Sequence, residues 1–580
     1  MKTYSVRESA SKKEINEFKE YPELLSDLLF SRGIKTKKEA EKFLNPDYDL
    51  DTHDSYLMKD MEKAVERILF AIKNKEKIVI WSDYDADGIP GAVVLHDFFK
   101  KIGFHNFINY IPDRHEEGFG LNIEGVREVA EKGAKVLITV DCGIADLEEA
   151  EEAGRLGMDV IITDHHLPSG LLPSAFAILN PKQTDCGYPE KMICGAVVAF
   201  KLVQALTLKL STCNLELGAI SPIPSGWEKW LLDMVGIATI SDMVPLLGEN
   251  RVFAYYGLKV LRKTPRPGLL KLFDKARINQ NYLSEEDIGF TISPRINAAS
   301  RMGCPMDAFS LLSTKDEAEG GKFAEHLDKI NNERKGVVAG MVKEMKKKIS
   351  ERYSGNEKKK CIVLGNPGWK PSLLGLAANS IAEEHLCPVF LWGRGNGEEY
   401  KGSCRSDGSV NLVEVMKETS NGVFLEFGGH ALSGGFSVVY EKVHLLEEEI
   451  IKALDKIPAG VKISPEILVD KKISLDDVNW KNYDIMEKMA PFGIGNPKPV
   501  FLFENARIAG VRNFGKEGAH LELQFEKSNG LKIPAISFFT KPEDFEVSVK
   551  VGSRVNLIAN IEKSFFGRSP SLRLRIIDIL

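Results

Sequence analysis

Three short apolar runs, at residues 78–81, 136–140 and 160–163, each lead into a loop and then a segment with helical periodicity. That repeat marks βαβ units and restricts residues 77 to about 247 to an α/β domain with a parallel, doubly wound sheet. In such sheets chemistry gathers at the carboxyl ends of the strands. Each of the three runs delivers acid to that end. KIVIW runs into Asp83-Tyr84-Asp85-Ala86-Asp87-Gly88, LITV into Asp141, and VIIT into Asp164-His165-His166. A fourth run, GIATIS, reads as strand-like and ends in Asp242.

Three acids within five residues repel one another by roughly 4 kcal/mol per close pair at an effective dielectric near 20. A cation is the natural way to neutralise them, and Gly88 would permit a tight turn into the next helix. One acid at a strand end is commonly only a helix cap, but here four segments converge on one edge. A set of carboxylates and imidazoles without cysteine suits octahedral Mg²⁺ or Mn²⁺ better than structural zinc. Two such ions would serve in-line attack at phosphorus, so the expected reaction is phosphoester hydrolysis.

Composition adds limits. With 580 residues, 43% hydrophobic and 28% charged, the chain has the balance of a globular protein of two to four domains, neither disordered nor fibrous. Residues 1–14 contain no signal-like apolar run, and the apolar stretches at 193–210 and 230–247 are broken by Lys201, Asp233 and Asp242. A cytoplasmic protein without membrane spans is expected. Eight cysteines without a CxxC pair suit reduced thiols serving as small core residues. The formal net charge of -6 weighs against a nucleic-acid partner, although an aspartate cluster biases the sum while a basic groove sits elsewhere.

Further along, residues 211–227 read as a Ser- and Pro-rich surface loop, and residues 316–352 as a long, charged, solvated spacer helix. A boundary is expected near 351–360 and a second α/β pattern from Cys361; two lobes joined by a helix would leave a cleft. After about residue 460, short alternating runs at 520–525, 554–558 and 572–577 predict a small β-barrel.

DYDADG, VDCG, TDHH and SDMVPL together resemble the four metal motifs of the DHH phosphoesterases. The resemblance implies Asp83, Asp85, Asp141, His165 and Asp242 as metal ligands, His166 facing the scissile phosphate, and Asp87 and Asp164 supporting the ligands by hydrogen bonds. YIPDRHEEGFGLN (110–122), SPRINAASRMG (293–303) and LDKINNERK (327–335) resemble the RecJ branch in particular. GSCRS (402–406) and FGGHALSGGF (427–436) resemble the substrate motifs of a DHH-associated domain, and APFGIGNPKPVF (490–501) with GAHLEL (518–523) an OB-fold. The implied organisation is a lead segment (1–55), a DHH domain (56–315), a connecting helix (316–356), a DHH-associated domain (357–457) and an OB-type barrel (458–580).

By the same resemblance Arg114, Ser403 and Arg405, with Gly428 and Gly429, would grip a phosphate near the strand end, while Asn297, Arg301 and His430 would contact the phosphate being cleaved. The implied activity is 5′ to 3′ exonucleolytic release of mononucleotides from single-stranded DNA, in recombination and repair. The partner is single-stranded DNA, with a single-strand binding protein and a recombination helicase as further candidates, and a monomer is expected. The alternatives are a DHH nuclease or phosphatase on short RNA or nucleotides, whose relatives lack the barrel, and a non-catalytic scaffold, disfavoured by the filled ligand positions. The chain departs from the family pattern at Ile89-Pro90-Gly91, Ser300, Lys370, Ser372 and Ser380. Pro90 is tolerable in a helix's first turn.

Overall fold

The computed structural model describes residues 4–8, 17–168, 170–212, 222–352, 359–395, 399–419, 422–457, 467–565 and 569–580, except for the side chain of residue 517. They form two compact units: residues 53–242 with 256–463, and residues 1–52 with 243–255 and 464–580.

The first unit opens with a parallel sheet of β1 (Lys77–Ser82), β2 (Phe107–Tyr110), β3 (Ala134–Val140), β4 (Asp159–Thr163) and β5 (Ala177–Leu179), in the order β2-β1-β3-β4-β5. Ile78, Val79, Ile80 and Trp81 are all fully buried, so the strand is apolar on both faces, as a helix-covered parallel sheet requires. The chain leaves β1 toward β2 and returns on the other side to β3. The strand order therefore reverses between β1 and β3, and a crevice opens at their carboxyl ends, the usual ligand position in such sheets.

Helix α1 (Gly88–Lys101) starts at the DYDADG loop and packs on α2 (Gly195–Thr212) and α3 (Leu232–Ser241). By length and composition α2 is apolar enough to cross a membrane, yet its positions from Gly195 to Val203 are all buried. Lys201 is buried with them, its Nζ donating to the His53 carbonyl at 2.8 Å. Helix α3 corrects the strand expected before Asp242. From Leu232 to Thr239 it is buried on every side, and a helix that is apolar all round has no 3.6-residue pattern to distinguish it from a buried strand.

After α4 (Ser293–Met302), the 36-residue α5 (Glu317–Arg352) runs into the second lobe. It is more than a solvated spacer. Gly320, Ala324, Leu327 and Ile330 are buried along its first half, and Met341, Met345 and Ile349 join the core of the second lobe. That lobe is a mixed sheet of β6 (Ile362–Gly365), β7 (Val389–Arg394), β8 (Glu399–Arg405), β9 (Phe424–His430) and β10 (Ser433–Val439), ordered β9-β10-β8-β7-β6. Helix α6 (Pro371–His385) covers β7 and β8 on one face, and α7 (Leu412–Glu418) packs on the other.

In the second unit, β11 (Phe501–Phe514), β12 (His520–Glu526), β13 (Lys532–Ser537), β14 (Arg554–Ser564) and β15 (Ser571–Ile579) form a five-stranded barrel, ordered β11-β12-β13-β15-β14 and closed by β11 pairing with β14. Its core includes Phe18, Leu25, Leu28 and Phe43 from the N-terminal residues, and Tyr4–Val6 pairs in parallel with Ile467–Val469. Arg251, 2% exposed, donates to the carbonyls of Phe43, Met489, Ala490 and Pro491. Of the described cysteines Cys304 is exposed, against expectation, and the other six are buried. Most of the expected loop at 211–227 lies outside the described residues.

Candidate metal centre and phosphate shelf

Three of the acidic positions continue the sheet by one residue. The backbone N–H of Asp83 donates to the carbonyl of Val140, that of Asp141 to Thr163, and that of Asp164 to Leu179. Hydrogen bonding thus sets these acids side by side at the edge where the strand order reverses. Asp141 adopts a left-handed backbone, φ +62°, which costs a non-glycine residue roughly 1–3 kcal/mol and persists only where its surroundings enforce it.

Three groups of donor atoms cluster at this edge, each with its atoms within 4.8 Å of one another: Asp83, Asp85 and Asp141; Asp141, His165 and His166; and Asp87, His165 and Asp242. Asp141 Oδ1 lies 3.1 Å from His165 Nε2, yet both it and Asp83 Oδ1 are buried and accept no hydrogen bond among the described residues. A buried carboxylate oxygen and an imidazole nitrogen this close, with no hydrogen bond joining them, suit joint coordination of a cation. At metal–oxygen distances of 2.0–2.1 Å, neighbouring corners of an octahedron stand roughly 3 Å apart, so the observed spacing fits Mg²⁺ or Mn²⁺.

The electrostatics agree. Burial, then the negative charge of neighbouring aspartates, holds the carboxyls of Asp83 and Asp141 well above the usual carboxylate range. Asp87 is raised to about 6 by burial and Asp85. Burial, followed by the charge of His166, lowers His165 to about 3 and leaves a neutral imidazole. His166 goes the other way: burial alone would lower it, but its bond to Asp164 at 2.8 Å holds it up to about 9.

The remaining carboxylates have visible supporting work. Asp87 accepts the N–H groups of Gly195 (2.6 Å) and Ala196 (2.8 Å), and stands 3.6 Å from His165. Asp164 accepts from the backbone of His165, His166 and Ile144. Asp85 Oδ1 caps α1 through Asp87 and Gly88. Gly88 has no left-handed backbone; a Cβ there would lie 2.5 Å from the Asp83 carbonyl, so close approach is what demands glycine. Gly195, which sequence reasoning passed over, is needed likewise: its Cβ would meet Asp141 at 2.5 Å.

Cations and amides gather beside the acids. Asn297 Oδ1 accepts the Ala86 N–H at 2.9 Å, tying α4 to the DYDADG loop and leaving its amide N–H groups to donate. Arg114 lies over the Tyr84 ring at 5.0 Å. Arg301 Nη1 donates to the Ser372 carbonyl (2.9 Å) and Ser372 Oγ to the Arg301 carbonyl (3.0 Å), joining α4 to the start of α6. Burial, then the charges of Arg114 and Arg334, lowers Arg301 to about 10. Arg334 was not singled out from sequence, although it falls inside LDKINNERK; its Nε is buried without a hydrogen-bond partner among the described residues.

Across the second lobe, strand register aligns the phosphate motifs. His430 pairs with Ser433 and Ser433 with Arg405; one row on, Gly428 pairs with Gly435 and Gly435 with Ser403. Directly paired residues share a sheet face, so both rows face the α6 side. Arg405 Nη1 donates to Ser403 Oγ at 3.2 Å, and a Cβ on Gly375 of α6 would meet that guanidinium at 2.7 Å. A Cβ at Gly428 would touch nothing, and one at Gly435 only the Gly402 carbonyl at 3.8 Å. The result is a bare backbone shelf flanked by Arg405 and His430. Gly429, φ +138°, allows the chain to bend into the β9–β10 hairpin.

Comparison with known proteins agrees with this architecture. Family models match at residues 77–232 (DHH family, N-terminal domain), 358–457 (DHHA1 domain) and 469–578 (RecJ OB domain). The chain is 34% identical over 557 residues to the single-stranded-DNA-specific exonuclease RecJ of Bacillus subtilis, covering 96% of this chain and 67% of that one. It is 30% identical over 569 residues to the protein of the same name from Haemophilus influenzae, covering 95% of each. The crystal structure of RecJ in complex with Mn²⁺ from Thermus thermophilus matches with a TM-score of 0.81 at 24% identity, over all of this chain and 79% of that one. A crystal structure of exonuclease RecJ bound to manganese matches at 30% identity with a TM-score of 0.59, over 70% of this chain and 97% of that one. Fold and site together define a protein of the DHH phosphoesterase class. Within that class, the chain belongs to the RecJ family.

Proposed function

We propose that this chain is a metal-dependent exonuclease that degrades single-stranded DNA from its 5′ end to mononucleotides, in recombination and repair. The observation that carries the chemistry is the buried Asp141 Oδ1, 3.1 Å from His165 Nε2 and without a hydrogen-bond partner among the described residues. Asp83, Asp85, Asp141, His165 and Asp242 would hold two Mn²⁺ or Mg²⁺ ions, which when bound supply a hydroxide nucleophile and neutralise charge on the phosphate. Asp87 and Asp164 orient the ligands through backbone N–H groups and His166. Arg301, Asn297 and His430 contact the phosphate being cleaved, while Arg114, Ser403 and Arg405 hold a phosphate nearer the end. The barrel supports the long-strand reading, since such folds hold single strands by charge and stacking.

The test uses purified protein with Mn²⁺ or Mg²⁺ and oligonucleotides labelled at either end: single-stranded DNA, duplex DNA and the matching RNA. Loss of the 5′ label as mononucleotide from single-stranded DNA alone is expected, and its absence from an Asp83→Ala/Asp85→Ala protein. Preference for short RNA would refute the DNA reading.

A further inference from the structure

We infer that Ser433 is an additional substrate-binding residue, its hydroxyl donating to a phosphate oxygen of the strand held on the β9–β10 shelf. The inference rests on the nuclease reading above and extends the shelf by a residue that lies inside FGGHALSGGF but was not among the site residues expected from it.

Register carries the argument. Ser433 pairs directly with His430 on one side and with Arg405 on the other, and neighbouring strands lie about 4.8 Å apart. Its side chain therefore stands midway between the two residues that the nuclease reading assigns to successive phosphates. The next residue points the opposite way: a Cβ at Gly434 would meet Met416 and Cys404 Sγ in the core beneath. Ser433 thus projects from the face where Gly428 and Gly435 leave the backbone bare.

The hydroxyl is also unemployed. A serine beside a hairpin turn ordinarily bonds a nearby backbone group, and Ser406 nearby does so, donating to the Val410 carbonyl at 2.8 Å. Among the described residues the Ser433 hydroxyl makes no hydrogen bond, whereas Ser403 Oγ donates to the Gly434 carbonyl at 3.2 Å and accepts from Arg405. Of the two shelf serines, Ser433 is the one with its full donor and acceptor capacity left for a ligand. A neutral donor at this position adds to the grip without a further charge next to Arg405.

The experiment compares wild type with Ser433→Ala, Ser433→Thr and Arg405→Ala on 5′-phosphorylated single-stranded DNA, reading KM, kcat, oligonucleotide affinity by fluorescence anisotropy, and Tm. Ser433→Ala is expected to raise KM and weaken affinity roughly 3- to 10-fold, the size of one hydrogen bond, with kcat and Tm unchanged, and Ser433→Thr to restore both. Wild-type KM and affinity in Ser433→Ala, with Arg405→Ala impaired, would overturn the role of Ser433 while leaving the shelf intact. A fall in Tm shared by Ala and Thr variants would mark a structural role and equally overturn it. An unimpaired Arg405→Ala would remove the shelf, and this inference with it.

Discussion

At Asp141 a strained backbone and a buried charge coincide, and both oppose folding until a cation arrives. The ionised carboxyl is disfavoured in the folded protein relative to the unfolded chain, so neutralising it relieves the metal-free state. Asp141→Asn, which also tolerates a left-handed backbone, is expected to raise the Tm of the metal-free protein by the equivalent of about 1–2 kcal/mol. The same change should abolish the stabilisation that Mn²⁺ gives the wild type; calorimetry with and without Mn²⁺ checks both. Asp87→Ala removes support from Gly195 and Ala196 and is expected to weaken Mn²⁺ affinity 10- to 100-fold, read by titration calorimetry. Away from the metal, burial, opposed by the nearby Asp97, lowers His96 to about 4, and its Nδ1 accepts from Asn109. Because the unfolded chain protonates at the higher pH, the neutral ring's stabilisation is present above about pH 6.5 and lost as pH falls toward 4. Its full size is at most about 3 kcal/mol, less for the part of the ring that water reaches. Urea unfolding at about pH 4.5 and about pH 7.5 should show a smaller acid loss in His96→Gln.

Elements rather than single residues explain what sequence could and could not disclose. The acids after β1, β3 and β4 were legible because apolar runs end abruptly in charge, and the sheet's reversal point follows from that order. Asp242 was legible as an acid but not as a helix C-cap, since α3 is buried all round and its β-branched residues imitate a strand. Ser433 and Arg334 lie inside the quoted motifs FGGHALSGGF and LDKINNERK but were not singled out there, because the pairing of Ser433 with Arg405 and the burial of Arg334 are not encoded in local pattern. Glycine requirements were half visible, Gly88 by its motif and Gly195 not at all. Adding a methyl at either should push Asp83 or Asp141 aside. Gly88→Ala and Gly195→Ala are each expected to cost about 1–3 kcal/mol and to weaken Mn²⁺ binding; urea titration and calorimetry test the pair.

On the scale of the whole molecule, neither compact unit is a single stretch of chain. The barrel unit takes residues 1–52 and 243–255 besides its C-terminal part, so removing residues 460–580 would strip the core from Phe18, Leu25 and Phe43 as well as deleting strands. Substitution is the cleaner probe of that unit. Arg251→Ala should leave four buried carbonyls without their donor and lower the unit's stability by about 3–5 kcal/mol, visible as an earlier transition in differential scanning calorimetry. The pairing of Tyr4–Val6 with Ile467–Val469 also has a meaning in time. At synthesis rates of about 5–20 residues per second, the first strand leaves the ribosome roughly 20 to 90 s before its partner has been made. During that interval Leu25, Leu28 and Phe43 lack the surface that buries them, so this apolar cluster stays open to chaperones until the barrel strands follow.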